Sequence, residues 1–161
     1  MKMMMVMMMA MMMGVVAGDY VDTICKKTPD YTLCLSLLRS DPRSSTADTA
    51  GLGLILVDKI KALGTETLGQ INQAYQTKPM LKRALNECTR RYKTIVDVDI
   101  NTMIDAIKGN PKFAEDAVVD AGVEASICEE AFPKGQSPFT RLTTRMNNIC
   151  DVTRAVVRNL L

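Results

Sequence analysis

The sequence predicts an all-α fold: an up-down-up-down four-helix bundle preceded by a small helical hairpin. Three observations carry this. Apolar residues recur at helical spacing nearly everywhere. Four such segments of about twenty or more residues are separated by short Pro- or Gly-containing breaks, the pattern of antiparallel neighbours in a bundle. No stretch of strand length alternates apolar and polar residues.

The first segment stands apart from the domain. "MKMMMVMMMAMMMGVVAG" has one charge, Lys2, then an uncharged apolar run ending in Val15, Ala17 and Gly18. That is the layout of a secretory signal peptide over 1–18, with cleavage after Ala17 or Gly18. The run is short for a membrane span of ~20 residues, and most of the 13 Met fall within it. The remaining 19–161 form one domain: a helical hairpin over 19–45 and the bundle over 46–161.

Within the hairpin, "TICKKTPDYTLCLSLLRS" places two short helical pieces around Thr28-Pro29-Asp30. Asp41-Pro42 and "RSSTAD" mark the turn that follows. The first bundle helix, roughly 46–76, carries Leu52, Leu56, Ile60, Leu63, Leu68, Ile71 and Tyr75 on one stripe. Gly51, Gly53, Gly64 and Gly69 weaken it by up to ~1 kcal/mol each, and such glycines can permit close helix approach. The second helix follows Pro79 with Leu81, Leu85, Cys88, Tyr92, Ile95, Met103 and Ile107, closed by Lys108 and Gly109. The third starts at Pro111 and carries Phe113, Ala117, Ala121, Ala125, Cys128 and Phe132. The last reads Phe139, Leu142, Met146, Ile149, Thr153, Val156, Leu160, with Ser137 as its N-cap and Pro138 in the first position. Singly these helices are marginal; a shared core must hold them.

Five cysteines fall in the domain: Cys25, Cys34, Cys88, Cys128 and Cys150. A secreted chain would pair them. The chain has no His and no C-x-x-C, which argues against a metal site. Pairing Cys25 with Cys34 would staple a hairpin too small to hold itself, worth about 2.7 kcal/mol by loop entropy. Cys88 and Cys128 would then pair across two core helices, worth about 3.9 kcal/mol on the same basis. Cys150 is left over. It is either a half-buried free thiol or a site of intermolecular pairing.

Composition also excludes functions. Without His there is no Ser-His-Asp or Cys-His centre. No G-x-S-x-G, phosphate loop or dinucleotide fingerprint occurs. The acidic neighbours Asp97/Asp99, Glu115/Asp116 and Glu129/Glu130 read as ordinary exposed helix positions, so the chain is read as no enzyme and as needing no cofactor. The net charge of +2 falls to +1 without Lys2, which implies no nucleic-acid partner. No later apolar run reaches spanning length, so no membrane partner is expected once the leader is gone.

The segment "NPKFAED", residues 110–116, carries the functional question. In the plain reading Pro111 starts a helix, Phe113 enters the core, and Glu115 and Asp116 serve its first turn. In the sharper reading Lys112 is presented to another protein.

These features together resemble the plant invertase/pectin methylesterase inhibitor family. The resemblance rests on the leader, "CKKTPDYTLCL", "DPRSSTADTAGLG", Cys88, "CEEAF" from Cys128, and "DVTRAVVRNLL", and it covers 19–161. It implies the same bundle and hairpin, disulfides Cys25–Cys34 and Cys88–Cys128, and a free Cys150. It also implies an enzyme inhibitor, secreted to the cell wall or carried to the vacuole. The family holds inhibitors of acid invertase (β-fructofuranosidase) and inhibitors of pectin methylesterase. The Pro-Lys-Phe break resembles the motif by which the invertase inhibitors enter the active-site cleft, so acid invertase is the expected partner and pectin methylesterase the alternative.

The partner-binding residues on this reading are Pro111, Lys112, Phe113, Glu115 and Asp116. An invertase cleft holds two carboxyl groups, which a Lys ammonium on a Pro-stiffened corner can meet. The reading requires Lys112 to be exposed and not engaged by its own neighbours. On the alternative, contacts come from helix faces around 50–76 and 80–108. A bundle housing a lipid or other small ligand is a third reading, disfavoured by the close packing that Ala114, Ala117, Ala121 and Ala125 allow.

Overall fold

A computed structural model describes residues 16–161 of the chain. The leader assigned to 1–18 lies outside the described residues except for its last three, which open the first helix. The hairpin consists of α1 (Val16–Cys25) and α2 (Tyr31–Arg39), followed by a 3₁₀ turn, Pro42–Ser45. The bundle consists of α3 (Thr49–Thr77), a broken second rod, α6 (Pro111–Glu130) and α7 (Thr140–Arg158). The second rod runs through a 3₁₀ turn (Pro79–Leu81), α4 (Lys82–Thr94), a π-helical segment (Ile95–Asp99) and α5 (Ile100–Ala106).

Each rod packs on the next in sequence, and α7 returns to α3. That closes the square of an up-down-up-down bundle. Leu52, Leu56, Ile60, Leu85, Tyr92, Met103, Met146 and Val156 fill its interior with almost no exposure. Two of the four glycines in α3 work at the contact with the second rod. A Cβ on Gly53 would stand 2.6 Å from Ile107 Cδ1, and one on Gly64 would stand 2.9 Å from Val96 Cγ2. At Gly64 the neighbour is a stiff valine methyl that Ala would push away, whereas at Gly53 the end of the Ile107 side chain can swing aside.

Polar side chains mark the helix starts. Asp30 accepts from Leu33 N at 2.9 Å, and Asp48 from Gly51 N at 2.8 Å. Each satisfies an otherwise orphaned amide. Ser137 does not cap α7 as the sequence suggests. Its hydroxyl donates to Glu129 Oε2 at 2.6 Å and accepts from Phe139 N at 3.1 Å. That tie to α6 holds Ser137 and Pro138 in the turn, and α7 starts at Thr140. The second rod ends at Ala106, before Lys108 and Gly109, and Asn110 N closes the turn on Ala106 O at 2.7 Å.

Cys25 and Cys34 are bonded, joining α1 to α2, and Cys88 is bonded to Cys128, joining α4 to α6. Cys150 is unpaired and buried rather than half-buried. Burial pushes its thiol up to about 12, so it behaves as a small apolar residue. Ala114, Ala121 and Ala125 are completely buried, and small side chains there let α6 sit close to its neighbours.

Candidate functional site: the α5–α6 corner

The corner is built by local rules. Pro111 occupies the first helical position, where its missing N–H costs nothing. Asn110 is the N-cap; its Oδ1 accepts from Phe113 N at 3.3 Å, and its carbonyl accepts from Ala114 N at 3.2 Å. Pro111 fixes its own φ and restricts Asn110, so the backbone that presents Lys112 and Phe113 is stiff. Phe113 is 55% exposed. It therefore leaves the buried stripe to Ala114, Ala117 and Val118, and the core role weighed for it is not the one it takes.

Lys112 is 61% exposed but not free. Its Nζ donates to Asp116 Oδ1 at 2.8 Å and to Glu115 Oε2 at 3.0 Å. One requirement of the sequence reading is met and the other is not: the ammonium is presented to solvent yet already holds two carboxylates of its own helix. Their spacings, i+3 and i+4, are those at which helix side chains meet. The two hydrogen bonds, Asp116 first, raise the Lys112 ammonium above its usual range.

Glu115 corrects the expectation most. It is no exposed partner contact, since its side chain is only 2% exposed. Oε1 accepts from Arg154 Nε at 3.0 Å, Oε2 accepts from Lys112 Nζ at 3.0 Å, and Arg158 Nε forms an ion pair with Oε1 at 2.7 Å. Three cations thus surround one buried carboxylate. The hydrogen bond from Arg154 contributes most to holding it at about 2, against the opposing effect of burial. Glu115 therefore ties the start of α6 to the end of α7. Neither Glu115 nor Asp116 serves the first-turn amides, which Asn110 caps instead. Arg154 and Arg158 were not among the expected site residues. Their only sequence signal is their own spacing of four, and their partner lies 39 and 43 residues upstream.

Two other acidic positions also differ from the exposed reading. Asp99 is 3% exposed, and its Oδ2 has no hydrogen-bond partner. Burial, then the charges of Asp120 and Glu124 on α6, push its carboxyl up to about 7. Glu129 is half-buried and gathers the hydroxyls of Ser137, Thr140 and Thr143. Among the described residues no group of three or more His, Cys, Asp or Glu is placed to hold a metal ion. No described helix is long and apolar enough to cross a membrane.

Comparison with known proteins places this architecture. A model of the plant invertase/pectin methylesterase inhibitor family matches residues 19–156. The chain is 58% identical to cell wall/vacuolar inhibitor of fructosidase 1 from Arabidopsis thaliana, over 88% of this chain and 69% of that protein. It is 30% identical to a pectinesterase inhibitor from Actinidia deliciosa, over 88% of this chain and 78% of that protein. A crystal structure of a mutant pectin methylesterase inhibitor from Arabidopsis superposes with a TM-score of 0.72, covering 86% of this chain and 95% of that one. It is only 19% identical in sequence and therefore speaks to the fold alone. The chain belongs to the plant invertase/pectin methylesterase inhibitor family, whose members are protein inhibitors and not enzymes.

Proposed function

We propose that this protein is a secreted inhibitor of acid invertase that blocks the enzyme's active-site cleft with the Pro111–Lys112–Phe113 corner. The observation that carries the choice of target is the 58% identity with a fructosidase inhibitor, against 30% with a pectinesterase inhibitor. The corner supplies a mechanism. A stiff backbone presents a half-exposed aromatic ring beside a cation, so little ordering is lost on docking. Phe113 offers apolar area and Lys112 a charge for an acidic sugar site. Charge pairs desolvated in this way couple by about 1.5–7 kcal/mol in the favourable cases.

The cell wall or the vacuole is the place of action on this reading, following the name of that relative and the leader assigned to 1–18. Inhibition of pectin methylesterase is the second reading, favoured by the relative from Actinidia deliciosa. Titrating the oxidised protein against an acid invertase and a pectin methylesterase in parallel separates the two. The proposal expects stoichiometric loss of invertase activity and no effect on the esterase; the reverse pattern overturns it.

A further inference from the structure

If Lys112 is to reach an enzyme carboxylate, its two present partners must be reckoned with, and they are not equivalent. We infer that Asp116 is a displaceable stand-in for the enzyme's carboxylate, and that Glu115 is a fixed positioning residue that keeps Lys112 aimed while Asp116 is exchanged. This rests on the reading of the corner as the invertase contact.

The asymmetry lies in burial and in the number of partners. Glu115 is held by Arg154 and Arg158 as well as by Lys112, and is closed off from water. It has no freedom to swing away. Asp116 is 57% exposed, and Lys112 is its one ion-pair partner among the described residues. An exposed pair of that kind in water is weak and easily given up. An ammonium has three N–H donors; one goes to Glu115 and one to Asp116. A carboxylate arriving from a cleft would sit beside Asp116 on the same cation, and like charges at that separation repel. Exchange relieves this: the incoming carboxylate takes the Asp116 position, and Glu115 holds the Lys112 ammonium in place through its Oε2. In the free protein Asp116 thus masks the cation, and its removal unmasks it.

Inhibition constants against an acid invertase test this with Asp116→Asn, Asp116→Ala, Lys112→Ala and the double variant Lys112→Ala/Asp116→Ala. Both Asp116 variants should tighten inhibition about two- to fivefold, the scale of one exposed ion pair. Lys112→Ala should weaken inhibition at least tenfold. Removing Asp116 in the Lys112→Ala background should change nothing further. The inference is overturned if the Asp116 variants leave inhibition unchanged or weaken it. It is equally overturned if they tighten it without Lys112, since general repulsion by the cleft would then be the cause. A harmless Lys112→Ala would instead sink the reading of the corner, and the inference with it. Helical content should be unchanged in all variants, because both side chains are exposed.

Discussion

Glu115 at the start of α6 and Asp99 in the π-helical segment are both carboxylates almost without solvent exposure, and their surroundings are opposite. Glu115 is ion-paired with three cations and is held at about 2. Asp99 has an unpartnered Oδ2, faces the acidic Asp120 and Glu124, and is pushed up to about 7. Arg91, earlier on the same rod, is paired with Glu87 and Glu124. Burial alone therefore does not fix the state of a carboxylate in this bundle. What decides is whether a neighbouring helix brings cations to the same level. Arg154 and Arg158 on α7 do so for Glu115, and α6 brings only acids to Asp99.

The largest effect that would sharpen this contrast is on Glu115. Glu115→Gln removes a charge-assisted acceptor and should lower unfolding stability by about 2–3 kcal/mol near pH 6, read by urea denaturation. Its folded value lies below the ordinary carboxylate value of 4.5, so its stabilisation is present above about 4.5 and is lost as pH falls toward 2. The gap between variant and parent should close over that window. A gap that persists at pH 2 breaks the charge explanation and leaves packing.

Asp99 carries the opposite sign. Its folded value lies above the ordinary 3.8, so stability is greatest below about 4 and falls as pH rises through about 7. Asp99→Asn should therefore stabilise the protein at pH 8 by about 2 kcal/mol and do little at pH 4. Equal effects at both pH values would remove ionisation as the cause. In the parent protein these two linkages together favour a stability maximum near pH 4–5, with losses on both sides. The smallest expected effect is the coupling of the two sites. They share no partner, so the double variant should equal the sum of the singles within about 0.5 kcal/mol.

The bundle was legible because its signal is local. The 3-and-4 stripe of the last helix, from Phe139 to Leu160, and the proline starts at Pro79 and Pro111 follow from helix geometry alone. The glycine pattern was readable only in part: Gly53 and Gly64 do face the second rod closely, while Gly69 faces open space. Asp99 left a trace that could have been followed. The second-helix stripe runs through Tyr92, Ile95, Met103 and Ile107, and its missing step falls at residue 99. An acid on the buried line of a rod is a signal even when its neighbours are unknown. The π-helical segment was not readable, because one wider turn leaves the apolar spacing nearly intact. Glu115 was not readable either. It flanks the buried stripe beside Ala114 and Val118, and only folding brings Arg154 and Arg158 to it. For Lys112 the sequence indicated exposure and missed engagement, although Glu115 and Asp116 stand at the two spacings that could reach it.

The central claim is that the corner acts through the charge of Lys112 on an invertase. It is tested most directly by the inhibition constant of Lys112→Ala against an acid invertase, measured beside the parent protein at equal helical content. The account predicts a constant at least ten times larger for the variant; two constants that agree within error would contradict it.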